Sequence, residues 1–343
     1  MRVLLYTTSW ELEVCDVEVP RPRDDEVVVR VEAAGICASD VHGVASRSPR
    51  RAPPLIMGHE LVGEVVDAGG PAGVPFVGLR VAVNPQVPCG VCGQCRAGRE
   101  NVCGHRELVG GTRPGGFAEL VAVPVRCLHA LATDAPADVV VLCEPLATCL
   151  HALSLVPEKF HEVAVVLGGG AIGSLAAQLL RVAGTGRVIV SEPQAERHPA
   201  IREICDIVVT PEELEEAVRA ETGGEGADLS IDAVGASTTR PDSVAVLRPG
   251  GTALWLGMHS HEALMPGFDM VVREQRAIGS FAYTNAEFRQ ALGLLERGLY
   301  VPSISRRDVA LEDSATTFRR LVDGVTDGVL KEVVRPVQGE VFT

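Results

Sequence analysis

Four cysteines lie close together in the segment CGVCGQCRAGRENVC, which spans residues 89–103. They are Cys89, Cys92, Cys95 and Cys103, and their spacing is CxxCxxCx7C. Thiolates this close together in a glycine-containing loop are typical ligands of a structural zinc ion with tetrahedral coordination. An iron–sulfur cluster is the alternative metal centre, since sets of four cysteines also hold iron. Disulfides and scattered buried cysteines fit the clustering less well.

A second group of candidate site residues lies outside this loop. It is spread over the segments GICASDVH, MGHE and LCEPLAT, and its members are Cys37, Ser39, Asp40, His42, His59, Glu60 and Glu144. A thiolate, an imidazole and a carboxylate from separate segments are the ligand types of a catalytic zinc ion, which keeps one coordination position open. Each residue alone could be an ordinary core or surface residue, so the hypothesis depends on the whole set.

A glycine-rich turn directly follows the apolar run EVAVVL (162–167). In GGGAIG, the residues Gly168, Gly170 and Gly173 satisfy GxGxxG, and a helical pattern begins at once. The first glycine allows a tight turn, the second lets the backbone approach a pyrophosphate, and the third permits close packing of helix on strand. A turn without a nucleotide is the alternative, but the flanking strand and helix favour a dinucleotide site.

An acidic residue at the end of the next apolar run, RVIVSE (187–192), bears on the choice of cofactor. Glu192 lies nineteen residues beyond Gly173, where a carboxylate would bind the adenosine ribose. A 2′-phosphate about 4 Å away would be repelled by about 4 kcal/mol at an effective dielectric constant of about 20, so NAD is favoured over NADP. Arg197 qualifies this prediction, because a nearby arginine could bind that phosphate. The other predicted cofactor contacts are Ile172, Leu256, Met258 and Phe281.

The elements that must position these residues are of two kinds. From Val3 to about Val125, short apolar runs alternate with Gly and Pro, which predicts an irregular β-rich domain. Farther on, strands alternate with helices, as in a parallel sheet with crossover helices. The six strand candidates there are 162–167, 187–192, 207–210, 227–232, 251–257 and 276–281. Six is the number in a doubly wound dinucleotide-binding domain, so the predicted fold class is α/β.

The composition excludes several classes of protein. A chain of 343 residues with 46% hydrophobic residues can form two domains, each with its own core. A formal charge of −14 leaves no broad basic surface for nucleic acid. Neither a signal peptide nor an uninterrupted apolar run of about 18 residues is found, so no membrane partner is predicted. The ten cysteines, without a disulfide pattern, suggest a reducing, cytoplasmic environment.

Together these segments resemble the zinc-dependent medium-chain dehydrogenases, of the alcohol and polyol type and nearest to the sorbitol and threonine dehydrogenase branch. The resemblance extends over nearly the whole chain, through GICASDVH, GHE, CGVCGQC, GGFAEL, CEPLA, GGGAIG and LRPGG. It implies a GroES-like catalytic domain formed by residues 1–150 and 285–343, and a Rossmann NAD-binding domain formed by residues 151–284. It also implies a cleft in which zinc and nicotinamide meet.

The resemblance further implies roles for single residues. Cys37 and His59 match ligands of the catalytic zinc ion. Glu60 matches a glutamate that is a ligand in the polyol branch, and Glu144 matches one that binds zinc directly or through water. Which glutamate is the direct ligand stays open. Cys143 lies where alcohol dehydrogenases use a cysteine ligand, but the PLA sequence after Glu144 favours the glutamate, and we interpret Cys143 as a packing residue.

The predicted function is hydride transfer between NAD and a secondary alcohol, namely a polyol, cyclitol or amino alcohol. Zinc as a Lewis acid would stabilise the alkoxide, and the proton would pass through Ser39 to His42. Ser39 stands where threonine is commoner, so a hydroxyl is preserved. A zinc hydrolase is one alternative, although it would not need GGGAIG and Glu192. A non-catalytic NAD-binding sensor is the other, although it could discard the metal ligands.

The basic segment SRSPRR after His42 has two interpretations. Its arginines, Arg47, Arg50 and Arg51, are expected in a solvated loop, since basic side chains usually face water. If they line the entrance of the pocket instead, they would favour a phosphorylated or carboxylated substrate. The resemblance also implies a homo-oligomer, either a dimer or a tetramer, and two zinc ions per chain.

Overall fold

The computed structural model describes residues 1–156 and 161–337. Its strands are β1 (Arg2–Tyr6), β2 (Leu12–Asp16), β3 (Glu26–Gly35), β4 (Leu55–Ile56), β5 (Glu60–Ala68), β6 (Arg80–Val83), β7 (Gln86–Val87), β8 (Glu107–Leu108), β9 (Leu120–Pro124), β10 (Leu128–Ala130), β11 (Val163–Leu167), β12 (Arg187–Ser191), β13 (Ile207–Val209), β14 (Ala227–Asp232), β15 (Leu247–Trp255), β16 (Arg276–Gly279), β17 (Arg306–Ala310) and β18 (Lys331–Arg335).

Eleven α-helices connect these strands in the described ranges. They are α1 (Ala38–Ala45), α2 (Gly93–Arg96), α3 (Ala137–Val140), α4 (Cys143–Ser154), α5 (Ala171–Val182), α6 (His198–Arg202), α7 (Leu214–Thr222), α8 (Thr239–Ala245), α9 (Gly267–Val272), α10 (Asn285–Glu296) and α11 (Leu311–Val322). Most of these helices follow residue 136.

The N-terminal part of the chain and its end share one mostly antiparallel sheet. The strand order is β10-β6-β5-β3-β18-β17, and β9 pairs with the first half of β3. The central strand β3 pairs with β5 on one side and, at Ala34 and Gly35, with β18 on the other. Because of this pairing, β18 lies beside the end of β3 at Gly35, although the two strands are almost 300 residues apart in the chain. The predicted domain boundaries at 150 and 285 stay predictions, and α4 runs across the first of them.

The second large sheet consists of six parallel strands in the order β13-β12-β11-β14-β15-β16. In chain order this is 3-2-1-4-5-6, the arrangement of a doubly wound dinucleotide-binding fold. All five residues of β11 are buried, because helices cover both faces of a parallel sheet. The predicted α/β fold, with a β-rich region and a six-stranded parallel sheet, is confirmed. The strand order reverses between β11 and β14, and ligands of such sheets bind at the carboxyl ends of the strands there.

Helix α4 lies between the two sheets and packs against α5 and α10. By length and hydropathy alone, the segment Ala137–Ser154 is apolar enough to cross a membrane, although Asp138 and Glu144 interrupt it. Half of that segment is buried inside the protein, as is usual for a core helix. Its apolar character is therefore explained by packing within the described fold.

Candidate active site

The sulfur of Cys37 lies at the beginning of α1. Cys37 is the N-cap residue of this helix, and its Sγ accepts hydrogen bonds from the Ser39 backbone N–H at 3.5 Å and from Ser39 Oγ at 3.2 Å. A cysteine sulfur at this position is available as a metal ligand.

His59 and Glu60 follow a tight turn at Gly58. Gly58 has φ = +95°, and a Cβ atom there would lie 2.8 Å from the backbone nitrogen of Phe117, so only glycine fits this close approach. The turn places His59 at the entry to β5 and Glu60 as its first residue, and both side chains are buried. The close backbone contact at Gly58 and the start of β5 at Glu60 therefore fix the position of the GHE segment.

The structure brings Cys37, His59 and Glu60 together. One ligand atom from each lies within 4.8 Å of the other two, although Cys37 and His59 are separated by α1 and β4. A thiolate, an imidazole and a carboxylate make a three-ligand set that leaves a fourth position of a tetrahedral zinc ion for substrate. The chemistry of the donors and their separation fit a catalytic zinc ion.

A buried carboxylate, Asp40, orients His59. Its Oδ2 lies 3.3 Å from His59 Nδ1, and its Oδ1 accepts a hydrogen bond of 2.9 Å from Arg51 Nε. Burial alone would raise the pKa of Asp40, but the charges of His59 and Arg51 hold it below its usual value. A protonated Nδ1 facing Asp40 leaves Nε2 of His59 available to a metal ion, the usual arrangement of metal-binding histidines.

From the sequence, Asp40 had no assigned role, and Arg51 was expected in a solvated loop. The only local sequence signal for Asp40 is an acidic residue in the first turn of α1. Arg51 is buried, in contrast to the solvated loop expected for SRSPRR, and its Nη2 also donates to Ser39 Oγ at 3.3 Å. Its stem crosses α1 at Gly43, where a Cβ would lie 2.6 Å from Arg51 Cγ. The expectation was therefore wrong for Arg51, whereas Arg50 is exposed.

Glu60 forms an ion pair with Lys331 of β18, and both side chains are almost fully buried. A Cβ at Gly35 would collide with Glu60 Oε2 and Lys331 Cε, so this glycine makes room for the pair. Burial alone would lower the pKa of Lys331, but the Glu60 carboxylate raises it, which keeps the ammonium charged. Lys331 lies 271 positions beyond Glu60, so no local pattern could have revealed it.

Glu144 lies beside this set but is not one of its three mutually close ligands. It comes from the first turn of α4, and burial together with the charge of Glu60 raises its pKa. The buried hydroxyl of Tyr283 faces it. Cys143, the preceding residue, is buried, and its thiol donates to the backbone oxygen of Phe288 at 3.5 Å. This contact supports the interpretation of Cys143 as a packing residue.

His42 lies on α1, the same helix that Cys37 caps. The side chain is partly exposed, and its pKa is lowered by burial and by the neighbouring His259 and His261. A neutral imidazole at this position can accept a proton near neutral pH. Ser39 and His42 therefore lie on the same short helix, which begins at the Cys37 cap.

The four-cysteine loop forms a separate, closed set. The Sγ–Sγ distances are 3.5 Å for Cys92–Cys95, 3.6 Å for Cys89–Cys103, 3.8 Å for Cys92–Cys103 and 3.9 Å for Cys89–Cys95. Four thiolates around one zinc ion, each about 2.3 Å from it, are about 3.8 Å apart. In an iron–sulfur cluster the cysteine sulfurs surround the whole cluster and lie farther apart. The observed Sγ–Sγ distances therefore favour a single ion. Backbone N–H groups of Val91 and Cys92 lower the pKa of Cys89 to about 6.

The four-cysteine loop is hydrogen-bonded to the segment just before α10 and to the first residue of that helix. Glu100 accepts a hydrogen bond from the backbone N–H of Asn285 at 2.7 Å. The side-chain amide of Asn101 donates to the backbone oxygen of Phe281 at 2.9 Å and lies 3.2 Å from His151 Nε2. The loop is therefore placed to brace the protein, and no cysteine of the loop joins the set of Cys37, His59 and Glu60.

The glycine-rich turn has the geometry that the sequence predicts. Gly168 has φ = +92°, and a Cβ at Gly173 would lie only 1.8 Å from the carbonyl oxygen of Gly168. Gly170 is the N-cap of α5, and apart from its chain neighbours and its own helix, no heavy atom of the described residues lies within 4 Å of a Cβ built there. The space in front of the helix N-terminus is therefore open to a pyrophosphate.

Glu192 is buried next to this turn. It accepts hydrogen bonds from the backbone N–H of Gly169 at 2.8 Å and of Gln194 at 3.0 Å, and Arg197 Nη1 lies 3.5 Å from it. Of the other predicted cofactor residues, Leu256 is buried, Ile172 is partly buried, and Met258 and Phe281 are exposed. The guanidinium of Arg106 lies over the ring of Phe281, 4.8 Å from its centre.

Comparison with known proteins agrees with this geometry. The family description "Alcohol dehydrogenase GroES-like domain" matches residues 23–133, and "Zinc-binding dehydrogenase" matches residues 171–297. L-galactonate-5-dehydrogenase of Escherichia coli (strain K12) is 31% identical over 305 residues, which cover 87% of this chain and 88% of the relative. The chain belongs to the zinc-dependent alcohol dehydrogenase family.

Two further relatives of this alcohol dehydrogenase support the assignment. L-threonine 3-dehydrogenase of Deinococcus deserti is 30% identical over 324 residues, which cover 92% of this chain and 94% of the relative. A solved structure of a zinc-binding dehydrogenase from Sinorhizobium meliloti, bound to NADP, has a TM-score of 0.88 and 32% identity, and the match covers 98% of this chain and 99% of that one. The predicted enzyme class, a zinc-containing oxidoreductase that uses a nicotinamide cofactor, is confirmed.

Two glycine substitutions test the dinucleotide turn. Gly173→Ala is expected to lower the free energy of unfolding by about 1–3 kcal/mol, since the added methyl group overpacks the contact with Gly168. Gly170→Ala is the matched control, and its stability should change by no more than about 0.5 kcal/mol. Its affinity for the cofactor should fall instead, because the methyl group enters the open space. Urea unfolding and fluorescence titration with NADH measure the two effects. Equal losses of stability would contradict this explanation.

Proposed function

We propose that this enzyme oxidises a secondary alcohol with NAD at the set formed by Cys37, His59 and Glu60. The observation that carries the proposal is the proximity of these three ligands to one another and to Ser39, on the helix that also carries His42, in a protein whose second sheet has the dinucleotide-binding topology. A hydrolase would use the metal ligands without the dinucleotide turn, and a sensor would use the turn without the metal ligands. Alcohol oxidation uses both.

The metal site determines how the alcohol is activated. Zinc held by Cys37, His59 and Glu60 would supply a Lewis acid that lowers the pKa of a hydroxyl bound at the open position. Asp40 holds the ring of His59, and Lys331 neutralises one oxygen of Glu60, which leaves the other oxygen free as a ligand. Glu144 is the alternative carboxylate ligand, and its position beside the set suits contact through water.

The proton of the alcohol would leave through Ser39 and His42. Arg51 donates to Ser39 Oγ, which holds the hydroxyl in place beside the sulfur of Cys37. His42 lies one turn farther along α1 and is neutral near physiological pH because its pKa is lowered. It can therefore take up the proton and release it to solvent.

The preference for NAD rests on Glu192. This carboxylate is buried at the end of β12, held by two backbone N–H groups, and it would repel a 2′-phosphate. Arg197 forms an ion pair with Glu192 and is therefore only partly available to bind a phosphate. One solved relative is bound to NADP, so the two cofactors need a direct comparison.

The substrate class follows from the relatives and the polar site. One relative is named for action on L-galactonate and another for action on L-threonine, and both substrates carry a secondary hydroxyl among other polar groups. We propose a polyol, cyclitol or amino alcohol for this enzyme, acting in the cytoplasm, where its ten free cysteines would remain reduced.

An activity panel tests this proposal. Polyols, cyclitols and amino alcohols are each assayed with NAD and with NADP, and formation of the reduced nicotinamide is followed by absorbance. We expect turnover of at least one secondary alcohol, with a higher kcat/KM for NAD than for NADP. Glu192→Ala should narrow this difference, since it removes the repulsive charge. No reduction of cofactor by any alcohol would favour the hydrolase alternative, and a preference for NADP would overturn the cofactor assignment.

Substitution of Cys37 and substitution of His42 should differ in their effect on the zinc content of the enzyme. We expect two zinc ions per chain by elemental analysis, one in each ligand set. Cys37→Ala should lose one ion and nearly all activity. His42→Ala should keep both ions and slow turnover by about 100-fold, because only proton transfer is impaired. Cys103→Ser is the control for the four-cysteine set, and it should lower thermal stability more than it lowers activity. Full activity of Cys37→Ala would refute the metal mechanism.

We also propose that the enzyme is a homo-oligomer joined at the face around α9. Four apolar side chains there are strongly exposed, namely Leu264 (90%), Phe268 (79%), Val271 (76%) and Val272 (61%). They lie near β16, the outermost strand of the parallel sheet in the described chain. A large exposed apolar patch next to a free sheet edge is typical of a protein interface.

The oligomer is tested by charge substitution in this patch. Phe268→Glu and Val271→Glu should shift the sedimenting species to the monomer, because each places a charge in the apolar contact. Val182→Glu on α5 is the matched control, since Val182 is also exposed (69%) but lies elsewhere. An unchanged mass in all three variants would rule out this face as the interface.

A further inference from the structure

A buried ion pair lies at the carboxyl end of a central strand of the parallel sheet. Asp232 is the last residue of β14, and its Oδ2 lies 3.1 Å from Nη1 of Arg240 on α8. The carboxylate is fully buried, and the side chain of Arg240 is only 14% exposed. The other oxygen, Oδ1, accepts hydrogen bonds from the backbone N–H groups of Val234 at 3.0 Å and Gly235 at 2.8 Å. Asp232 therefore fixes the backbone that leaves β14.

Arg240 also binds the segment that follows β15. Its Nη2 donates a hydrogen bond to the carbonyl oxygen of Gly257, and its guanidinium lies over the ring of Trp255, 4.8 Å from the ring centre. A hydrogen bond from a charged donor is stronger than one between neutral groups, and stacking on an aromatic ring fixes the plane of the guanidinium. One arginine thus joins the segment after β14 to the segment after β15.

The two segments are also in close backbone contact. A Cβ at Gly235 would lie 2.3 Å from the backbone carbon of Gly257, and a Cβ at Gly257 would lie 2.0 Å from that of Val234. The segment after β14 reaches the glycine-rich turn as well, where a Cβ at Gly168 would lie 2.4 Å from Val234 Cγ2. Because the atoms are packed this closely, a shift of one segment must displace the other.

These segments lie on the opposite side of the strand reversal from Glu192. A doubly wound sheet consists of two mononucleotide-binding halves, and a dinucleotide lies across the point of reversal, here between β11 and β14. Glu192 marks the adenosine half, which leaves the segments after β14 and β15 for the nicotinamide half. Gly257 stands between Leu256 and Met258, two of the predicted cofactor contacts. The carbonyl group that Arg240 holds therefore belongs to the proposed nicotinamide side.

We propose that Arg240 is a positioning residue for the nicotinamide half of the cofactor. It acts through Asp232 and Gly257, since it neutralises the buried carboxylate and holds the carbonyl group at the same time. Both segments are then fixed before the cofactor binds, which lowers the cost of ordering them on binding. This inference rests on the proposed cofactor site. Loss of Arg240 should weaken binding of the whole dinucleotide and leave binding of its adenosine half unchanged.

Calorimetric titration with NADH and with ADP, which lacks the nicotinamide half, tests this role. The double variant Arg240→Met/Asp232→Asn removes both charges, so no unpaired carboxylate remains buried. We expect its dissociation constant for NADH to rise by about tenfold or more, as for loss of a hydrogen bond to a charged group. The constant for ADP should change by less than about twofold. Arg240→Lys keeps the charge but not the planar fork, and its affinity for NADH should be intermediate.

Arg248→Met/Asp228→Asn is the matched control. Asp228 lies near the other end of β14, where its Oδ2 accepts hydrogen bonds from the backbone N–H groups of Glu162 and Val163 and its Oδ1 accepts one of 2.7 Å from Arg248 Nε. The pair has the same chemistry, but it lies away from the carboxyl ends at which ligands bind. The affinity of this control for NADH should be unchanged.

Two results would overturn the positioning role of Arg240. One is an unchanged affinity of the Arg240→Met/Asp232→Asn variant for NADH, and the other is an equal loss of affinity for NADH and ADP, which would indicate a general structural effect. The titration needs no alcohol. Its outcome is therefore distinguishable from a failure of the proposed substrate class or of the proposed metal mechanism.

Discussion

Two buried carboxylates, Asp40 and Glu60, impose the constraint on which the proposed active site depends. A charge in the interior of a protein is costly unless it is paired, and each of these is paired with a cation from a distant segment. Arg51 reaches Asp40 across α1, and Lys331 reaches Glu60 from the last strand of the sheet. The same carboxylates contact or belong to the metal-ligand set, so the pairs that stabilise the buried charges also orient the ligands. Removing one partner would leave an uncompensated charge next to the site.

The two ligand sets differ in a way that follows from their positions. The four cysteines come from one short loop, their sulfurs surround a single point, and four thiolates fill all positions of a tetrahedral ion. Cys37, His59 and Glu60 come from a helix cap and the start of a strand, and three ligands leave one position open. The closed set suits a bracing role at the segment before α10, and the open set suits chemistry.

The strand order of the parallel sheet relates the proposed metal site to the proposed cofactor site. The order reverses between β11 and β14, and the glycine-rich turn, Glu192 and the segment after β15 all follow strand ends at this edge. His259 lies on that last segment and contacts His42 on α1. The helix that carries the proposed proton acceptor thus touches the segment after β15, at the sheet edge proposed for the cofactor.

Much of this protein could be predicted from its sequence because the relevant signals are local. The spacing of Cys89 to Cys103, the strand–turn–helix around GGGAIG and the six apolar runs each depend on neighbouring residues, and the structure has the loop, the turn and the strands where they were expected. The positions of Cys37, His59 and Glu60 were proposed from residue type and family resemblance. Their proximity, however, could be observed only in the folded chain.

The tertiary structure alone decided which charges accompany these ligands. Arg51 was expected in solvent, yet it is buried against Asp40, because Gly43 leaves room for its stem. Lys331 and His259 lie far from their partners along the chain and carry no pattern that marks them. Local spacing specifies elements and compact ligand loops, since their geometry depends on a few consecutive residues. Pairing between distant segments depends on strand order and packing, which no single stretch of this sequence contains.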